Sequence, residues 1–189
     1  MQLRHPFDAL STSGQNRAFF LFFILSVMVM AGLQVTGAPL INDVSPGGIL
    51  SFEFAGELAH AQRMVDSWGP TGRIYAGLNL GLDYLFLAVY ACAIALGCVL
   101  VSRGLYGRNS ALANVGIIIA RAQFLAAILD GVENYGLIQV LLGTQIGAWP
   151  LVAKWCAWPK FLIVAVGLIY VIIGMLWIAL RKQKQAKRL

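Results

Sequence analysis

The chain has 189 residues, 59% of them hydrophobic and only 12% charged, with a mean hydropathy of +0.76. A soluble domain averages about 45–50% apolar and about a quarter charged residues, so composition excludes a water-soluble globule and points to an all-α membrane protein whose solvent is largely lipid. The formal charge of +6 does not argue for nucleic acid, because five of the fourteen basic residues lie in the last nine positions, directly behind an apolar run, where they act on membrane orientation.

Four apolar runs are long enough to cross a bilayer, each exceeding the roughly 20 residues needed for about 30 Å of hydrocarbon. The first spans Ala18 to about Ala38. It reads as a retained helix, with a cleaved signal peptide ending near Gly37 and Ala38 as the other reading. Next comes a connection, Pro39–Arg73, in which Ser45-Pro46-Gly47-Gly48 forms a turn, Ser51 is the candidate N-cap and Gly69-Pro70 a stop. Between them Phe52–Trp68 reads as one amphipathic helix. Phe54, Leu58, Ala61, Met64, Val65 and Trp68 share one arc, opposite Glu53, Glu57, His60, Arg63 and Asp66. Such a helix lies flat on the outer membrane surface or caps the bundle.

The second span is expected over about Ile74–Val101 and the third from Ala111 to about Asn134. The polar stretch Asp130-Gly131-Val132-Glu133-Asn134 predicts a bend near Gly131, with an interfacial extension to Leu142. The fourth span, Leu151–Leu180, contains Pro159, which removes a backbone donor, and is followed by the basic tail 181–189. Arg4, Arg17, Arg103, Arg108 and the five tail residues place nine of fourteen basic side chains on one side. The positive-inside rule then gives a multi-pass protein of the bacterial cytoplasmic (inner) membrane with both termini cytoplasmic. Trp68, Trp149, Trp155 and Trp158 on the outer side, with Trp177 on the inner, fit aromatic belts.

Depth along each helix brings ionisable groups to one level. At 1.5 Å per residue, Asp83 lies roughly 27 Å from the inner face, Asp130 roughly 30 Å and Lys160 roughly 31 Å. Glu133 and Asn134 follow one turn beyond Asp130 on the same face, and Asn79 precedes Asp83 by one turn. A charge in hydrocarbon costs at least about 2.5–3.5 kcal/mol, so such groups face protein or water. Two readings stand: interfacial anchors where hydrocarbon ends, or a site where carboxylates meet one lysine below the acidic helix that bears Glu53. A second level, at roughly 16 Å, brings Arg121 together with Tyr90 and Tyr170 as a mid-membrane polar layer. It reads as packing glue or as the floor of an outward-opening cavity.

Most site chemistry is absent or weak. Glu57-x-x-His60, with Glu53 one turn earlier, has metal-ligand spacing, yet a solvated helix face is the better reading and no metal is expected. No intramembrane histidine exists to ligate haem, since the only two are His5 and His60, and no cofactor is expected. Cys92, Cys98 and Cys156 form no Cys-x-x-Cys pair and read as small buried hydrophobes. No Gly-x-Ser-x-Gly element or phosphate-binding glycine loop is present, and no catalytic residue is assigned. Acid–base work by Asp83 with Asp130 or Glu133 stays open.

The stretches Phe52-Glu53-Phe54-Ala55, Ser67-Trp68-Gly69-Pro70-Thr71-Gly72-Arg73, Leu82-Asp83-Tyr84-Leu85-Phe86 and Leu129-Asp130-Gly131-Val132-Glu133-Asn134 resemble a widespread, uncharacterised group of small bacterial four-helix integral membrane proteins. The resemblance covers about Phe52 to Tyr170. It implies the same architecture and supports weighing Glu53, Asp83, Asp130, Glu133, Asn134 and Lys160 together, and it implies no activity, substrate or cofactor. The leading expectation is an outward-facing acidic pocket that binds an amphiphile, a lipid or a cation. In it Asp83, Asp130 and Glu133 hold the polar group, Lys160 balances charge, and Asn79 and Asn134 orient the ligand. The alternatives are an accessory subunit of a larger membrane complex, whose partners are other membrane subunits as well as lipids, and an enzyme acting on a lipid.

Overall fold

The computed structural model describes residues 3–107 and 109–186, so Arg108 and the last three residues of the basic tail lie outside the described residues. Every regular element among them is helical: α1 (Thr12–Gly37), a 3-10 turn (Ala38–Leu40), α2 (Ile49–Glu53), α3 (Leu58–Leu105), α4 (Ser110–Leu141) and α5 (Ala148–Ala186). Four of these, α1, α3, α4 and α5, are long and apolar enough to cross a membrane. α1 begins where the Ser11 hydroxyl accepts the Gly14 N–H at 3.1 Å, and α4 where the Asn109 side chain accepts the Leu112 N–H at 3.0 Å. Both are side-chain caps of the usual kind.

α3 is the central helix, packed against α1, α4 and α5. α5 lies against α4 and α3, whereas α1 packs on α3. A glycine makes room for a side chain between two of these helices: a Cβ on Gly116 of α4 would collide with the Tyr170 hydroxyl of α5. Without a hydrophobic driving force in lipid, such packing and the hydrogen bonds it permits hold helices together. The Tyr170 hydroxyl donates to the Leu112 carbonyl at 3.1 Å, and Ser102 donates to the Ala113 carbonyl at 2.7 Å, tying α4 to α5 and to α3.

The helix expected over Phe52–Trp68 is two pieces. α2 ends at Glu53, and Gly56, at φ 71°, turns the chain before α3 starts at Leu58. Ser51 is no N-cap; it sits inside α2 and its hydroxyl accepts the Gly47 N–H at 2.8 Å. Phe54 leaves the amphipathic arc because aromatic partners lie elsewhere: its ring stacks near Phe161 at 5.9 Å and meets Trp158 edge-on at 5.4 Å. Residues 58–68 do form an amphipathic arm, whose Ala61, Met64, Val65 and Trp68 pack with Leu40, Phe52, Leu137 and Val140 on the end of the bundle. The Trp68 indole N–H donates to the Leu40 carbonyl at 2.8 Å and to Ser45 Oγ at 2.9 Å, fixing the 38–48 segment beneath the arm.

That arm joins the rest of α3 through Gly69, whose φ of 63° and ψ of −172° are open essentially to glycine alone. Pro70 follows at a position where its missing N–H breaks no continuing ladder. Arg73 spans the joint, its guanidinium contacting Asp66 at 2.6 Å and the Val65 carbonyl at 3.3 Å. α4, in contrast, runs unbroken to Leu141, so the bend expected near Gly131 is not there. Asp130, Glu133 and Asn134 are all buried inside the bundle, so the polar stretch has no reason to leave it. The other boundaries move outward, α1 starting at Thr12 and α5 at Ala148 with Pro159 inside it.

Candidate functional site

Three helices and α2 converge on one ammonium. Lys160 of α5, only 5% exposed, donates from Nζ to Asp130 Oδ1 at 2.7 Å and to Glu133 Oε1 at 2.8 Å, both on α4. Glu53, the last residue of α2, brings Oε2 to 3.9 Å from the same nitrogen. Asp130 uses its second oxygen to accept the Tyr90 hydroxyl of α3 at 3.0 Å. Asp83, also on α3, accepts from Asn134 Nδ2 at 2.6 Å. Buried charges persist only when paired and hydrogen-bonded in this way.

The pairing is incomplete on the acidic side. Three carboxyls contact the one ammonium and Asp83 is held nearby by Asn134, while the buried Glu53 Oε2 and Glu133 Oε2 receive no N–H donor. Burial raises the Glu53 carboxyl above its ordinary value; Lys160 opposes the rise and Asp130 adds to it. Buried polar atoms are almost always satisfied, and here the Glu53 and Glu133 carboxyls hydrogen-bond each other, so a proton held between them serves both oxygens.

Beside the cluster lies a cavity of about 770 Å³, within the range of small-molecule sites. Glu53, Asn79, Asp83, Asp130, Asn134 and Lys160 line its polar end. Its long wall is apolar, with Phe23, Val27 and Met30 from α1 facing Phe161, Val164 and Leu168 from α5, and Ile94 of α3 behind. The cavity therefore occupies the space between α1 and α5, over the back of α3. From Lys160 to Leu168, and from Asp83 to Ile94, it follows the helices for about 12–16 Å, close to half of the roughly 30 Å hydrocarbon core.

The expected site residues are thus brought together with two differences of detail: Glu133 is fully buried and does not line the cavity, and Asn79 lines it but spends both amide protons on α1, donating to the Leu33 carbonyl and to Thr36 Oγ1, each at 2.8 Å. The mid-membrane polar layer does not form. Arg121 is exposed and its guanidinium donates to the Arg4 carbonyl, Tyr170 bonds the Leu112 carbonyl, and only Tyr90 joins the acidic cluster. Arg121 and Asp130 are nine residues apart, which at 100° per residue puts them on opposite faces of α4. Equal depth said nothing about direction.

The weak metal candidates are also separated. Glu53 turns to Lys160 while Glu57 is exposed and His60 half-buried, and among the described residues no three His, Cys, Asp or Glu side chains are grouped to hold an ion. Sequence reasoning missed Gln123, fully buried on α4, which donates to the Ile163 carbonyl of α5 at 3.1 Å and leaves Oε1 unpartnered. A lone amide within an apolar run was the available signal. Set against family models, curated proteins and solved structures, the chain matches none of them.

Proposed function

We propose that this protein is a four-span integral protein of a bacterial cytoplasmic membrane, with both termini in the cytoplasm and the 58–68 arm at the outer face, that binds an amphiphile in the cavity between α1 and α5. The nine basic residues on one side of the spans support the orientation. The observation that carries the binding role is the shape and polarity of the cavity: an apolar trough one leaflet deep that ends in a cluster of carboxyls around one lysine. Such an arrangement matches a molecule with a hydrocarbon tail and a polar head, the tail replacing lipid contacts and the head meeting the polar groups that line the end of the cavity.

Protein extracted in mild detergent should retain a defined amphiphile through purification, detected by organic extraction and mass spectrometry. Asp83→Asn keeps the shape of the side chain but removes its charge; it should lose the retained molecule while accumulating normally in the membrane. A preparation that carries no such molecule and leaves the membrane only with a second polypeptide would replace the pocket with the accessory-subunit reading.

A further inference from the structure

At the acidic end of the cavity most donor protons are already committed and carboxylate oxygens predominate. Asn79 has committed both amide protons, Tyr90 its only hydroxyl proton, Lys160 two of its three and Asn134 one of its two, while the Gln34 amide lies on α1 away from the acids. The Ser26 hydroxyl, also in the lining, donates to the Phe22 carbonyl at 2.7 Å. What faces an incoming head is the second oxygen of Asp83 and the accessible edge of the Glu53 carboxyl, which is 9% exposed and whose Oε2 is turned away toward Lys160. A phosphate or carboxylate head would meet like charge and find few protons to accept. A head rich in N–H donors and positively charged would find unused oxygens and cancel the excess of negative charge.

We infer that the ligand is a single-chain amphiphile with a primary-amine head, held as ammonium by Asp83 and Glu53, and that it enters sideways from the outer leaflet between α1 and α5. This rests on the amphiphile-binding reading and narrows it. The tail lies along Val27, Met30, Val164 and Leu168, the part of the wall contributed by the two helices that flank the opening. The ammonium sits where charge-assisted hydrogen bonds are strongest, at oxygens that are already desolvated. Lys160 stays paired with Asp130 and Glu133 and keeps the pocket from being closed by its own acids.

The test uses the full chain in maltoside micelles, with native mass spectrometry reading the occupancy of dodecylammonium, dodecyltrimethylammonium and dodecanoate added in turn. These three share a tail and differ in head, so charge and donor protons are separated. Dodecylammonium should bind at least about tenfold more tightly than either competitor. Asp83→Asn should abolish that preference, and Asp43→Asn, on the outer turn, should leave it intact. Val27→Trp, which fills the tail region away from the acids, should exclude all three. Equal or tighter binding of the quaternary ammonium overturns the role of donor protons, and tighter binding of dodecanoate overturns the head assignment; in both cases the pocket reading survives. Failure of all three to bind overturns the pocket as well.

Discussion

Lys160 stands at the centre of the polar cluster, and its removal should be felt more than that of any single acid. Without the ammonium, Asp130 and Glu133 are left as buried carboxylates with no counter-charge, and breaking such a pair costs about 3–5 kcal/mol. Lys160→Met should therefore lower the thermal midpoint of the detergent-solubilised protein clearly. Asp130→Asn, whose one amide oxygen still accepts from Lys160 while its NH2 donates to the Tyr90 oxygen, should lower it less. Static light scattering with intrinsic tryptophan fluorescence would separate the two, and equal midpoints would show that the ion pairs do not hold α5 to α4. Glu53 adds a pH dependence of definite sign. Its folded carboxyl lies above the ordinary value of 4.5, so the folded state holds the extra proton in the interval above that value and stability falls as pH rises through it. The groups facing it are Lys160, Asp130 and Glu133. Glu53→Gln should flatten the decline in thermal midpoint as pH rises above the ordinary carboxylate value; an unchanged profile would assign the dependence to the other acids.

At the scale of elements, the joint at Gly69 decides where the outer arm of α3 lies, and therefore whether Trp68 can reach Leu40. Gly69→Ala must adopt a backbone that L side chains avoid, a penalty of about 1–3 kcal/mol, although a Cβ there would touch nothing. Gly81→Ala offers the contrasting case, an ordinary helical position with open space around it, and should stabilise by about 0.5–1 kcal/mol. Thermal unfolding of the pair in one detergent distinguishes backbone strain from crowding: if both variants shift in the same direction, the strained joint is not what holds the arm. The unbroken α4 belongs to the same scale. Its acidic stretch is read from the sequence as the point where a helix leaves hydrocarbon, but Lys160, Tyr90 and the Asp83–Asn134 contact give those groups partners inside the bundle, and a satisfied helix has no cause to bend.

For the whole molecule, the proposed orientation places Asp43 outside and Gln183 inside, so in intact cells Asp43→Cys should react with a membrane-impermeant maleimide and Gln183→Cys should react only after lysis; the reverse pattern would invert the bundle. Length, composition and the four apolar runs sufficed to determine an all-helical chain with four helices able to span a membrane, because hydrocarbon leaves backbone groups no partners except those within a helix. Depth was equally legible, since 1.5 Å per residue is fixed, and it put Asp83, Asp130 and Lys160 at one level before any contact was known. What linear spacing could not supply was azimuth and pairing between helices. Arg121 matched Tyr90 and Tyr170 in depth and yet faces away from the acids, and Asn79, aligned with Asp83, turns its amide to α1. The break at Phe54–Glu57 was hidden because Phe54 fitted the amphipathic arc, and only aromatic partners contributed by α5, a hundred residues later, make its departure favourable. The cavity belongs wholly to tertiary structure: a space between α1 and α5 exists because both pack on α3, and no periodicity within either helix records the distance to the other.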